Sequence, residues 1–452
     1  MHKKHFRLCL VASACVTLMS TAIAQTTPTP APAAAPASSY KLESSTLKAP
    51  DTTGQQVTAA PYALSGTSIS GASQSSETIL SAPIPENAAA YKTESGIYLY
   101  PTAFVGFGYN DNIQLAPNNT IGSSFVTMAP QLVAELKHKC DRYTAVAALN
   151  RTTFSNSSPD NTTTSELEVA GDNYFSARAR AGWAVGLVHG TDDRGTYNRP
   201  TSENPDRWHT TNLNGRFIYG AQEAQGRLEL DLGRQDKTYD NNREVTAISD
   251  LTVNSIAGRM FYRMGSRSLA LVEVRQANSD YDSALSTEDN TERRYYLGYT
   301  WDATAATTGV VKIGRMTKDF DAAGRSSYSG SSWEAALRWL PRTYSVFELQ
   351  TSRSTSDTTG VGSYELNTAT SLNWKHNWTN SLRSDAEVST LSRKYGDSAR
   401  SDRANTFSLA VDYTVLRWLT IGVDMAHTNY SSNDPTAEYK RNVVMFTLNA
   451  TL

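Results

Sequence analysis

From Gly96 to the last residue, apolar and polar side chains alternate with a period of two, and no other feature constrains the fold as much. Leu228, Leu230 and Leu232 alternate with Arg227, Glu229 and Asp231. Trp333, Ala335, Leu337 and Trp339 alternate with Glu334, Ala336 and Arg338, and Phe407, Leu409, Val411 and Tyr413 alternate with Ser408, Ala410 and Asp412. Successive side chains of a strand point to opposite faces, so each such segment has one apolar and one polar face. A soluble sandwich would show the same alternation. The polar sets, however, mix Arg with Glu and Asp, as a wetted interior would.

A second regularity is a mark of tyrosine or phenylalanine beside Asp or Asn. It recurs as Tyr109-Asn110-Asp111, Phe154-Ser155-Asn156, Tyr197-Asn198, Tyr239-Asp240, Tyr281-Asp282, Phe320-Asp321, Tyr395-Gly396-Asp397 and Tyr430-Ser431. A repeat of roughly forty residues fits a hairpin of two strands, one loop and one turn. The marks fall where outgoing strands end, and they read as an outer aromatic girdle followed by turn-starting Asp or Asn.

Residues 1–24 read as a secretory signal peptide. Lys3, Lys4 and Arg7 supply the positive region, Leu8 to Met19 the apolar stretch, and Ala22-Ile23-Ala24 the cleavage site. A lipoprotein reading of Ala12-Ser13-Ala14-Cys15 is the alternative, but that box lacks Leu three places before the cysteine. Cleavage after Ala24 leaves Cys140 alone, so no internal disulfide is expected; Cys140 reads as a turn residue. Residues 25–92 are rich in Pro, Ala, Ser and Thr, too poor in apolar surface to fold, and read as a mostly disordered periplasmic leader. A plug inside a barrel would need a core that this segment lacks. The net charge of −2 gives no basic footprint for nucleic acid. No apolar run of about eighteen residues follows the signal, which excludes helical spans but not strand spans.

Residues 93–452 therefore read as an all-β transmembrane antiparallel up-and-down barrel in the outer membrane, of about eighteen strands. Short turns (Lys139 to Asp141, Gly265 to Arg267, Pro341-Arg342, Leu416-Arg417) alternate with long polar loops such as Asp192 to Arg207. Short turns belong on the periplasmic side and long loops outside. Sixteen strands is the alternative if the weak hairpin over 164–191 is misread. Trp301, Trp339, Trp378 and Trp418 lie near short turns and suit a periplasmic aromatic girdle. The last strand places Val444, Phe446, Leu448, Ala450 and Leu452 on one face. It is similar to the terminal signal read by the outer-membrane assembly machinery, although it ends on Leu rather than an aromatic residue.

The inward set inferred from alternation is Arg216, Arg227, Glu229, Asp231, Arg259, Glu273, Arg275, Arg294, Asp302, Glu334, Arg338, Glu348, Asp412 and Asp424. Mixed signs give a wet wall without the single-sign ring that imposes strong ion selectivity. The competing reading is that these charges pair and merely brace the wall. No nucleophile elbow, zinc-protease helix or Cys/His cluster occurs, so no catalytic residue, metal or cofactor is expected. His189 with Asp192 and Asp193 is the one acid–histidine grouping near the outer rim, and it reads as a solvated rim site.

Gly106-Phe107-Gly108-Tyr109-Asn110-Asp111-Asn112-Ile113, with the later Lys237-Thr238-Tyr239-Asp240 and Arg338-Trp339-Leu340-Pro341-Arg342, resembles the β-barrel porin family found in exopolysaccharide gene clusters. The resemblance covers roughly residues 95–452. It implies an outer-membrane conduit in exopolysaccharide export, partnered by outer-membrane lipids and by periplasmic export components. General diffusion of small polar solutes is the second reading. A barrel enzyme or surface-binding protein acting through the outer loops is the third.

Overall fold

The computed structural model describes residues 79–85, 89–192, 194, 204–221, 223–304, 306–358 and 360–451, the side chains of 302–304 excepted. The expected signal peptide, and the leader up to residue 78, lie outside the described residues. The chain begins with β1 (Tyr91–Lys92), β2 (Tyr98–Asn110), β3 (Ser123–His138), β4 (Asp141–Phe154), β5 (Thr162–Tyr174) and β6 (Ala179–Asp192). Next come β7 (Asp206–Tyr219), β8 (Gly226–Tyr239), β9 (Leu251–Gly265), β10 (Ser268–Tyr281), β11 (Asn290–Thr304) and β12 (Thr307–Phe320). Then follow β13 (Tyr328–Arg342), β14 (Ser345–Ser356), β15 (Glu365–Asn377), β16 (Leu382–Tyr395), β17 (Ser401–Leu416), β18 (Leu419–Ser432) and β19 (Tyr439–Thr451).

Each strand pairs antiparallel with the next, and β19 returns to β2, from Val443 opposite Asn110 to Thr451 opposite Thr102. The eighteen strands β2 to β19 close a cylinder, while the two-residue β1 only extends the start of β2. Closure leaves no row of unpaired backbone groups in the wall, the condition for strands to stand in hydrocarbon. Register then fixes the faces. Leu228, Leu230, Leu232, Met260, Val272, Val274 and Leu297 are exposed, whereas Asp231, Arg259, Glu273 and Arg294 are buried. The apolar face is the outer one, and the charged residues point inward.

Two-residue turns at Lys139-Cys140, Ser266-Arg267 and Arg417-Trp418 sit at one end, and longer loops such as 111–122 and 240–250 at the other. Lys139 takes φ 57°, the left-handed conformation a tight hairpin requires. The turn expected at Pro341-Arg342 lies instead at 343–344. Proline offers no N–H, and the ladder shifts register between Trp339 and Arg342, which takes Pro341 into β13 at an irregularity.

Candidate functional site

The inner wall is charged, and the pairing of its charges follows from strand register. Glu229 faces Arg259, and Arg259 faces Glu273, across β8, β9 and β10. Arg216 on β7 donates to Asp231 at 2.7 and 3.0 Å, and Arg259 donates to the same carboxylate at 2.5 Å. Arg259 also meets Glu229 at 3.0 Å. Farther round, Arg275 bonds Glu273 and reaches Glu334 on β13 with two N–H groups at 2.7 and 2.9 Å. Lys312 on β12 lies 3.1 Å from Glu273 and pairs with Glu334, while Arg294 donates to Glu292 at 2.6 Å. Arg227 stands 3.0 Å from Glu229 and stacks over Phe261. A lattice of alternating charge thus runs from β7 to β13. Buried charge is tolerated only when paired and hydrogen-bonded, and each of these carboxylates has at least one cation beside it.

Other inward candidates form separate pairs. Glu348 takes Lys375 at 2.9 Å and Arg338 at 3.5 Å, and Arg383 donates to Asp412 at 3.0 Å. Asp424 lies on β18 opposite Met445, on the inner face. Asp302 belongs to β11, but its side chain is outside the described residues. Trp339, Trp378 and Trp418 are 46, 57 and 49% exposed at the short-turn end, and Trp301 stacks on Tyr299 nearby.

Two sequence expectations are corrected here. The tyrosine marks do not form an outer girdle: among the described ones, Tyr239, Tyr281, Tyr395 and Tyr430 are buried on the inner face and only Tyr109 is exposed, while Tyr197 lies outside the described residues. Their hydroxyls donate to carboxylates, Tyr239 to Asp192 at 3.0 Å, Tyr281 to Asp357 at 2.9 Å, and both Tyr395 and Tyr430 to Asp402 at 2.8 Å. Nor do His189 and Asp192 share a site. His189 lies on the outer face with its ring 5.8 Å from that of His209, while Asp192 turns inward to Trp208 and Tyr239. Asp193 is outside the described residues.

The adjoining wall, β14 to β17, is charged as well: Glu348 with Lys375 and Arg383 with Asp412 toward the short-turn end, and Glu365, Arg393 and Asp402 toward the other. Gln350, Ser371, Ser389 and Thr406 stand opposite one another in a row across four strands. Gln350, Ser371 and Ser389 are half-buried, unlike the buried charges of β9 to β13. Sequence reading also missed Lys312, which alternation with Val311 and Ile313 would have placed inside, and Glu292, which alternation from Arg294 would have. It missed the inward Glu166 and Glu168 of β5, which have no ion pair among the described residues. At the short-turn end it missed Glu135, Arg142 and Asp172, all buried and inward. Arg142 donates to Glu135 at 2.6 Å, and Asp172 is covered by Ile79 to Ser81.

A closed cylinder of eighteen strands, apolar outside and charged within, defines an outer-membrane β-barrel of the porin type. The model of the family described as Putative beta-barrel porin 2 matches residues 95–452, and the chain belongs to that family. No curated protein matches the sequence. Among solved structures, OccK2 (OpdF) of Pseudomonas aeruginosa, crystallised with glucuronate, is similar at 9% identity and a TM-score of 0.47, covering 80% of this chain and 100% of that one. A BenF-like porin from Pseudomonas fluorescens Pf-5 is similar at 10% identity and a TM-score of 0.46, covering 78% and 99%. OccAB3 of Acinetobacter baumannii gives 10% identity and 0.43, covering 78% and 99%.

Proposed function

We propose that the barrel is a passive aqueous conduit for hydroxyl-rich solutes, with a neutral or weakly charged exopolysaccharide as its exported cargo. The observation that carries this reading is the uncharged row Gln350, Ser371, Ser389 and Thr406, its first three members half-buried, beside a wall whose charges are already paired. Amide and hydroxyl groups exchange hydrogen bonds with a sugar chain at little net cost in either direction, so they let it slide rather than hold it. Paired carboxylates and guanidiniums present little net field, which suits an uncharged cargo. Planar-bilayer recordings test the reading directly. A conducting barrel whose current is interrupted by neutral oligosaccharides supports it; a silent barrel defeats it. Deleting the gene and weighing secreted polysaccharide tests the cargo, and unchanged output would leave general diffusion of small solutes, for which the same unspecialised wall is suited.

A further inference from the structure

Asp172 is completely buried on the inner face of β5, two residues from the end of the strand. Among the described residues, its carboxylate accepts four hydrogen bonds, all from one short segment of the leader: the N–H groups of Ile79, Leu80 and Ser81 at 2.8, 2.8 and 3.1 Å and the Ser81 hydroxyl at 2.5 Å. Successive backbone N–H groups converging on one carboxylate form an anion-binding concavity. The wall completes the contact from the other side. Arg142 donates to Ser81 Oγ at 2.6 Å and to the Ala82 carbonyl at 2.7 Å, while its Nε holds Glu135 at 2.6 Å. Thr144 Oγ1 accepts the Ala82 N–H at 2.8 Å.

Apolar contacts follow the same path. Ala82 packs with Tyr100, Val133 and Val146, and Ile84 lies against that cluster. At Gly182 on β6 an added Cβ would sit 2.6 Å from Ile79 Cγ2, so the wall is cut away where the segment begins. From Gly182 through Asp172, Thr144 and Val133 to Tyr100, the segment crosses the inner face of β6, β5, β4, β3 and β2 at the short-turn, periplasmic end.

We propose that Asp172, Arg142, Glu135 and Thr144 form a peptide-backbone site in the periplasmic mouth, filled in cis by Ile79 to Ile84, which straps and narrows that mouth. A buried carboxylate needs its full set of donors, and the leader is what supplies them. The strap thereby makes residues 79–84 part of the pore wall. Narrowing of the conduit rests on the reading given under Proposed function; occupancy of the site does not.

The test uses the mature chain lacking residues 79–84 and a synthetic peptide of those six residues, Ile-Leu-Ser-Ala-Pro-Ile. In detergent micelles the peptide binds the deleted chain, and Asp172→Asn in that background weakens binding roughly tenfold, as expected when charge-assisted hydrogen bonds become neutral ones. No binding overturns the site. In bilayers the deleted chain conducts more than the full one, and peptide added on the periplasmic side brings the current back down. A full chain that conducts, with a deletion that leaves its current unchanged, overturns the strap alone. If neither protein conducts, the conduit reading falls while the binding result still decides the site. Should the deletion fail to fold, Asp172→Asn in the full chain carries the same comparison, with raised conductance supporting the strap and unchanged conductance counting against it.

Discussion

Arg275 on β10 reaches across β11 and β12 to Glu334 on β13, donating two N–H groups at 2.7 and 2.9 Å. The pair ties together strands that share no ladder, and both residues are almost fully buried. Removing one member strands the other charge among groups that no longer balance it. Glu334→Ala should lower unfolding stability by about 3–5 kcal/mol, the usual cost of breaking a buried pair. Urea unfolding from micelles measures it. A loss under about 1 kcal/mol would show that water, rather than Arg275, solvates this carboxylate.

Asp402 should behave as a hub of the same kind. It accepts Tyr395 and Tyr430 at 2.8 Å, Ser432 at 2.5 Å and the guanidinium of Arg400 at 2.9 Å. Tyr430→Phe removes one neutral donor from a carboxylate that keeps the others, so a cost of about 1 kcal/mol is expected. Asp402→Ala removes the acceptor shared by two buried hydroxyls and by the guanidinium of Arg400, which also reaches Asp434 at 3.2 Å, and should cost several times as much. Equal effects of the two substitutions would argue that ring packing, not hydrogen bonding, fixes this corner.

These tyrosines also show where sequence legibility ended. Strand number, strand limits and the two faces were readable because burial against hydrocarbon forces a strict period of two. Counting that period forward from Leu228, Leu230 and Leu232 puts Tyr239 on the charged face, and counting from Val272 and Val274 does the same for Tyr281. The aromatic character of the marks suggested a lipid girdle, yet parity had already placed them inside. Which charges pair is a different matter. Arg275 with Glu334 and Arg216 with Asp231 depend on inter-strand register, which alternation leaves open. The strap was illegible for another reason: Ile79 to Ile84 has no periodicity, and its docking depends on Asp172, about ninety residues away.

The outer loops should respond to pH in opposite senses. Burial, with Asp357 nearby, pushes the Glu288 carboxyl up to about 8, outweighing Arg325 at 2.8 Å. The folded loop therefore holds a proton that the unfolded chain releases near the ordinary carboxylate range. Stability is greatest below that range, falls as pH rises toward about 8, and is flat beyond it. Asp160 is the reverse: burial raises its carboxyl, but hydrogen bonds from Arg194, Ser157 and Gln114 bring it below the ordinary value. Its contribution is present at neutral pH and lost on acidification. Hydrogen exchange of amides 283–290 should quicken between pH 5 and pH 8.5 once intrinsic rates are divided out, and Glu288→Gln should flatten the response. A flat wild-type profile would contradict the raised carboxyl.

The tryptophans at the short-turn end bear on how the barrel sits in its membrane. Trp339, Trp378 and Trp418 are roughly half exposed, and Trp378 still gives its indole N–H to Ser384 Oγ at 3.0 Å. An indole with an apolar body and one polar edge is most stable at the headgroup level, where each part meets its own solvent. Barrels retaining one of these residues at a time, with the other tryptophans replaced by phenylalanine, should be quenched most by a nitroxide near the lipid carbonyls and least by one at the chain terminus. Strong quenching by the deep probe would place the short turns inside the hydrocarbon and require a different vertical register of the wall. Quenching by neither would mean that these rings face water, and the exposed apolar rows above them would then need another partner than lipid.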